Sequence, residues 1–244
     1  MKGTTPLGAR NEQEAARWVR DMFARVAHRY DLANHLLSFN IDRYWRAHTV
    51  KRLRHILRRR EARVVDICCG TGDLALALAR ARQGTVLGSD FCHPMLVAAR
   101  RKAEARRAPA AWFEADALHL PFGDGSVDLL TVAFGFRNLA DYPAGLAEMR
   151  RVLAPGATAA ILEFSQPPGA AFAALYNFYS RRILPVIGGA LSGSRDAYAY
   201  LPESVRKFPS AAALADEMRR AGFSQVSYEY LTGGIVALHQ GLAG

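Results

Sequence analysis

The feature that most constrains this chain is an apolar run that ends in glycines: Val64-Val65-Asp66-Ile67-Cys68-Cys69-Gly70-Thr71-Gly72-Asp73. Residues 63–68 read as a buried strand, Gly70-Thr71-Gly72 as a sharp turn and residues 73–82 as a helix. Such a unit carries backbone N–H groups up to a ligand, because glycine bends the chain tightly and puts no side chain in the way. Gly70, Gly72 and Ala75 also satisfy the dinucleotide fingerprint, so the turn by itself leaves two classes of ligand open.

Strand and helix keep alternating beyond this unit. Strand-like runs fall at 85–89, 111–114, 127–133 and 158–163, with helical patterns at 93–107 and 142–153 and Pro155-Gly156 as the turn before the last of these strands. The pattern predicts βαβ units and a parallel sheet covered on both faces. A helix over 210–221 stops at Gly222, and the runs 225–231 and 235–239 read as a hairpin that closes the sheet. The fold class is therefore α/β: a mostly parallel seven-stranded sheet with an antiparallel C-terminal hairpin and N-terminal helices. In those first helices Ala15, Trp18, Val19, Met22, Phe23, Val26, Ala27 and Tyr30 share one helical face. Residues 30–45, rich in Asn, His, Asp and aromatics, read as a connector, and a second helix runs to about residue 60. A length of 244 residues suits one domain over 1–244, with a helical cap at 1–60 and an α/β core at 61–244 that carries a substrate-side insertion around 168–209.

Carboxylates decide between the two ligands. Asp66 lies inside the strand end, four residues before Gly70, where it would repel a pyrophosphate and attract the ammonium group of S-adenosylmethionine. Asp90 closes the next strand and is placed to accept hydrogen bonds from ribose hydroxyls, a feature both ligand classes share. Asp116, after the third strand, stands at the same sheet edge for the adenine amino group. One acidic residue per successive strand end favours S-adenosylmethionine as the cofactor over a dinucleotide. The bland role of helix N-cap falls to Asp73.

Composition narrows the setting. The three cysteines, two of them adjacent, make neither a disulfide framework nor a zinc-like spacing, so no metal is expected. No apolar run reaches the roughly 18 residues that cross a bilayer. The N-terminus lacks the apolar core of a secretion signal, which points to the cytoplasm. A net charge of +10 favours a polyanionic partner, either nucleic acid or an anionic membrane. The charge concentrates at Lys51, Arg52, Arg54, Arg58, Arg59, Arg60 and Arg63 and again at Arg100, Arg101, Lys102, Arg106 and Arg107, where solvated helix faces are the plainer reading.

Flanking motifs are more particular. Tyr30-Asp31-Leu32-Ala33-Asn34, Ser38 and Asp42-Arg43-Tyr44-Trp45 are followed, after the fourth strand, by Phe134-Gly135-Phe136-Arg137-Asn138. Then come Arg151-Val152-Leu153-Ala154-Pro155-Gly156, Leu162-Glu163-Phe164-Ser165, Tyr200-Leu201-Pro202-Glu203-Ser204-Val205-Arg206 and a tail from Leu231 to His239. With these motifs the chain resembles the ubiquinone/menaquinone biosynthesis C-methyltransferase family over nearly its whole length. It departs from the family where Ala33 replaces Met, Asp42 replaces His, Ala133 replaces Ser, and Ala154 and Ala157 replace Lys and Gly.

The resemblance implies a Rossmann-like class I S-adenosylmethionine-dependent methyltransferase fold and methyl transfer to a ring carbon of a polyprenylated quinol. The Cys68-Cys69 version of the turn leans to demethylmenaquinol over the methoxylated benzoquinol of ubiquinone synthesis. Carried over by position, Thr71, Asp90, Asp116 and Ala117 contact the cofactor. Arg137 is the cation expected beside the acceptor's phenolic oxygen, where it favours the anion that makes the ring carbon nucleophilic. Its alternative is an ion pair with Asp141 or a cofactor-side carboxylate. Asn138 is expected on the other ring oxygen and Tyr30 as proton relay or orienter, with Tyr30 and Trp45 as plain core aromatics the alternative.

The quinol's isoprenoid tail sets the expected partners. They are the polyprenylated quinol and the inner face of an anionic membrane, met peripherally through the basic clusters, with no nucleic acid and with a homodimer allowed. Phe172-Ala173-Ala174-Leu175-Tyr176-Asn177-Phe178-Tyr179 and Ile183-Leu184-Pro185-Val186-Ile187-Gly188 are a candidate lid or tail lining, or equally a buried crossover helix. Two rivals remain. An RNA or DNA methyltransferase lacks its Asn/Asp-Pro-Pro-aromatic turn here, and a C5-base methylase lacks a placed cysteine nucleophile. A non-catalytic scaffold of a quinone-synthesis complex would have little use for the intact carboxylates and the Arg137-Asn138 pair.

Overall fold

A computed structural model describes residues 3–169 other than Thr5, Leu7, Arg29 and Gln83, together with 173–174 and 195–244. Of the stretch expected to form a lid, only Ala173 and Ala174 are among them; the remainder lies outside the described residues.

Seven strands form one sheet: β1 (Val64–Ile67), β2 (Val86–Asp90), β3 (Ala110–Glu114), β4 (Val127–Ala133), β5 (Leu153–Phe164), β6 (Phe223–Leu231) and β7 (Val236–Ala243). Their order is β3-β2-β1-β4-β5-β7-β6. The first five are parallel, and β7 runs antiparallel to both β5 and β6, so the expected hairpin closes the sheet with its second strand inside the first. Every residue of β1 is buried, as helices on both faces require. One core face holds Phe136, Leu146 and Met149 under the helix α7 (Tyr142–Val152), numbered seventh in the chain, and the other holds Leu53, Leu57, Leu74 and Leu78.

The helices preceding it are α1 (Glu12–Val26), α2 (Tyr30–Leu37), α3 (Ile41–Arg52), α4 (Arg54–Leu57), α5 (Asp73–Ala81) and α6 (His93–Arg106). Helices α8 (Arg195–Lys207) and α9 (Ala211–Arg220) follow it. Asn11 caps α1 by accepting the Glu14 N–H at 2.8 Å, and Ala15, Val19, Met22 and Val26 bury its predicted face.

Three expectations are corrected. Residues 30–45 are not a connector: two helices meet there at Phe39 and Asn40, whose φ of 51° and 60° make a tight left-handed turn. Tyr30 consequently opens α2 rather than closing α1. Pro155-Gly156 lies within β5, where pairing slips from Val127–Leu153 to Leu129–Thr158 and Gly156 takes a φ of 76°. The strand thus begins five residues before its expected start at 158. Asp73 does not cap its helix; Gly72 holds that position without a side-chain cap.

Gly72 has a φ of 81°, and a Cβ added there would lie 2.4 Å from the Trp112 ring. Gly72→Ala therefore combines a left-handed penalty with overpacking, together about 2–4 kcal/mol. Thermal unfolding followed by circular dichroism is expected to show Tm lowered by roughly 5–15 °C.

Candidate active site

The parallel strands deliver their C-terminal ends to one side of the sheet, and a cavity of about 810 Å³ lies there under α1, α2, α3 and α8. Of the ten residues expected at the site, all but Gly72 line it. Gly72 instead lets the turn pack on Trp112. Gly70 serves the cavity: its φ is 54° and the space where a Cβ would stand is open.

The carboxylates mark one half. Asp66 is buried at the end of β1 and accepts the Thr131 hydroxyl at 2.6 Å; burial pushes its carboxyl up to about 7. Asp90 accepts the N–H of Gly70 at 2.8 Å and of Cys92 at 2.9 Å. Burial raises it to about 6, with those N–H groups pulling the other way. Asp116 is exposed and accepts the Leu118 N–H at 2.9 Å, beside the buried Ala117. The chemistry of this set fits S-adenosylmethionine: oxygen acceptors at three successive strand ends and room at Gly70 for a close ligand.

Thr71 lines the cavity and is also tied to the helices around it. Its hydroxyl donates to Asp31 of α2 and accepts from Lys102 Nζ at 3.0 Å. Lys102 also meets Asp31 and Asp73, each at 2.7 Å. A lysine counted with a solvated cluster is thus a buried-side bridge between α2, α5 and α6; spacing within α6 alone gives no hint of it. The other basic residues of the two clusters are exposed. Residues 58–63 lead into β1 and 106–107 precede β3, so these charges stand at the sheet edge opposite the cavity.

Arg137 sits on a one-turn helix (Phe136–Asn138) after β4 and points into the other half. Its partner is neither Asp141, which caps α7 through the Ala144 N–H at 2.9 Å, nor a cofactor-side carboxylate. Glu163 of β5 accepts from Arg137 Nη1 at 3.0 Å and from its backbone N–H at 3.1 Å. The Phe164 ring lies 5.3 Å from the guanidinium carbon. Burial works against the arginine's charge, and Glu163, Tyr30 and Tyr200 together more than offset it. Glu163 stands in a quoted motif, yet nothing in sequence spacing joins it to Arg137 across 26 positions.

Asn138 Oδ1 accepts from the Tyr200 hydroxyl at 3.0 Å. Tyr30 is half-buried, packs edge-on to Phe23 at 5.8 Å and has its phenol pushed up by burial while Arg137 pulls it down. Trp45 is a wall aromatic, buried against Phe134 and Phe164, with its Nε1 donating to Thr232 at 2.8 Å. Ala133 lines the cavity without a hydroxyl. Cys68, Cys69 and Cys92 are free thiols, all pushed upward by burial. Donor atoms of His35, Asp42 and Asp73 lie within 4.8 Å of one another, but the carboxylates already hold Arg46, Ser38 and Lys102. Among the described residues no helix is long and apolar enough to cross a membrane.

Comparison with known proteins extends the geometry. The profile of the ubiE/COQ5 methyltransferase family matches residues 9–243. A demethylmenaquinone methyltransferase of Thermus thermophilus is 52% identical over 221 residues, covering 90% of this chain and 99% of the relative. A protein of the same name from Deinococcus radiodurans is 46% identical over 238 residues, covering 97% of this chain and 96% of the relative. A solved SAM-dependent methyltransferase from Thermotoga maritima superposes with a TM-score of 0.65 at 18% identity, over 92% of this chain and 99% of that one. At such identity the likeness speaks to the Rossmann-like methyltransferase fold alone. The sheet order, the cavity at its carboxyl edge and these matches lead to one conclusion: the chain belongs to the ubiE/COQ5 methyltransferase family.

Proposed function

We propose that this chain transfers the methyl group of S-adenosylmethionine to a ring carbon of a polyprenylated quinol, with demethylmenaquinol as acceptor and menaquinol as product. The observation that carries the reading is one cavity joining two chemistries. A row of carboxylates stands at the ends of β1, β2 and β3, and an aromatic-walled half holds Arg137, Asn138 and Tyr30. Relatives named for demethylmenaquinone, at 52% and 46% identity, support the naphthoquinol over the benzoquinol. The reading includes no metal and no nucleic acid, and places the protein in the cytoplasm. Helical cap and α/β core act as one catalytic unit, since both line the cavity.

S-Adenosylmethionine supplies an electrophilic methyl on a sulfonium when bound. In this reading Asp90 and Asp116 hold its ribose and adenine, Asp66 its ammonium group, and Thr71, Gly70 and Ala117 shape the turn around it. The acceptor carbon becomes nucleophilic when the neighbouring hydroxyl, with a pKa near ~10, loses its proton. Arg137 donates N–H bonds to that oxygen and Asn138 serves the second ring oxygen, while Tyr30 orients the ring. Because Glu163 balances Arg137, the pair lowers the hydroxyl's pKa less than an unpaired arginine would. Positioning accordingly takes the larger share, up to about 7–11 kcal/mol in favourable cases.

A tail-bearing acceptor requires access from a bilayer. The basic residues of 58–63 and 106–107 stand at the opposite edge of the sheet, whereas Leu36, Phe39, Ile41 and Tyr44 are exposed at the α2–α3 turn, Phe39 by 74%. Phe39 and Ile41 also line the cavity, and Arg43 is exposed beside them. We therefore place the membrane contact at this rim. Vesicle co-sedimentation should strengthen with anionic lipid, weaken with salt and weaken further on Phe39→Ser. Equal binding to neutral vesicles at every salt level would refute the electrostatic part.

Asp66 gives a pH signature. Its carboxyl, ordinarily near 3.8, holds a proton up to about 7 in the folded chain. The stability this contributes is fully present below the ordinary value and is lost as pH rises through about 7. An ammonium group beside Asp66 favours the ionised form, so donor binding below that pH expels a proton. Calorimetry in buffers of different ionisation heat should read this release, with affinity rising to a plateau above about pH 7. Asp66→Asn should remove it and weaken binding by about tenfold or more. The reading as a whole is tested by extracting quinones from cells lacking the protein: demethylmenaquinone should accumulate, and an unchanged quinone pool would refute it.

A further inference from the structure

S-Adenosylmethionine carries its ammonium and carboxylate on one carbon, so a receptor for the carboxylate must lie within a few ångströms of the group that holds the ammonium. Three cations among the described residues line the cavity: Arg46, Arg137 and Arg206. Arg137 is committed to Glu163 on β5. Arg206 is exposed at the end of α8, where its carbonyl accepts from Gln166, beyond the end of β5. Arg46 is the one placed over the ends of β1 and β4.

Arg46 lies on α3, with its side chain only 14% exposed. One nitrogen, Nη1, donates to Asp42 one helical turn earlier, and the guanidinium carbon stands 5.4 Å from the centroid of the Phe134 ring. Among the described residues Asp42 is the only acceptor it meets, which leaves four of the group's five N–H donors. Asp42 is itself fixed by His35 Nδ1 and Ser38 Oγ, each at 2.7 Å. The carboxylate stands where the resembled family has histidine, and it aims the arginine. The positive charge reaches both Asp66 and Asp73, one on either side of the glycine turn.

We propose that Arg46 is the receptor for the donor's α-carboxylate, its guanidinium aimed by Asp42 and Phe134 so that it faces the ammonium site at Asp66. The assignment rests on the donor reading above. Arginine suits the task because its planar fork matches a carboxylate with two parallel hydrogen bonds. The amino-acid end of the donor then spans β1 and β4, continuing the row that runs from Asp116 through Asp90.

Titration calorimetry with S-adenosylmethionine and with its decarboxylated form, which keeps sulfonium and ammonium, tests this directly. Arg46→Gln is expected to raise Kd for S-adenosylmethionine by about 10- to 100-fold while changing that for the decarboxylated form less than about twofold. Arg46→Lys, which keeps the charge on a compact side chain, should recover part of the affinity for S-adenosylmethionine alone. Equal weakening of both ligands in both variants, at unchanged thermal midpoint, would overturn the assignment, because loss of a structural arginine cannot discriminate between them. Full affinity in Arg46→Gln would overturn it as well. If the unaltered protein bound neither ligand, the donor reading itself would fall, and this assignment with it.

Discussion

The strand order reverses direction at β1. From β1 the chain winds outward to β2 and β3, then crosses back to place β4 on the other side of β1. At that point the segments leaving β1 and β4 turn to opposite faces of the sheet, and a crevice opens between them. The glycine turn leaves β1 and the Phe134–Asn138 segment leaves β4, so the two halves of the cavity stand next to each other because of topology alone. Gly135 shows how tight this is: a Cβ there would lie 2.5 Å from that of Cys68. The two turns pack as one surface, and the cavity above them is where two reacting molecules can be brought together.

Charge in this crevice is expensive and is handled in two ways. Among the described residues no cationic side chain is bonded to Asp66 or Asp90; they are held by a hydroxyl and by backbone N–H groups, and burial raises both into the range of about 6 to 7. They are primed to respond to an arriving cation or hydrogen-bond donor. Arg137 and Arg46, in contrast, are each tied to a carboxylate, because an unpaired buried guanidinium would cost several kcal/mol. The pairs differ in use. Glu163 takes both the side chain and the backbone of Arg137 and fixes its position, whereas Asp42 takes one edge of Arg46 and leaves the others.

Much of this was legible in the sequence because local rules governed it. Strand and helix periods located the α/β core, and the spacing of Asp66, Asp90 and Asp116 along successive strands placed them at one edge. Periodicity failed where helices were short and polar. Residues 30–45 carry Asn, His and Asp that elsewhere mark loops, yet here they pair across helices as His35–Asp42 and Asp31–Lys102. Such partners are set by tertiary packing. The same holds for Glu163 with Arg137 and Tyr200 with Asn138, separated by 26 and 62 positions. The basic clusters are a related case: charge is visible in a sequence, but the edge of the sheet on which it falls follows from topology.

The bridge through Lys102 explains why cap and turn belong to one device. Asp31 comes from the cap, Thr71 and Asp73 from the glycine turn and its helix, and Lys102 from α6 behind them. His35 of the cap approaches Asp73 as well, at 3.7 Å. Thr71 is therefore held through its hydroxyl by Asp31 and Lys102. The N–H groups of Cys69, Gly70 and Gly72 donate to Ser89, Asp90 and Cys69, so the shape of the turn is set within the protein and little ordering remains to be done on binding. The same bridge carries Arg46 and Tyr30 into place, since both ride on the helices that Asp31 and His35 anchor. The glycine turn and the cap helices that carry Arg46 and Tyr30 are thus positioned by one set of charges, which is how a cap of short polar helices comes to shape both halves of the cavity.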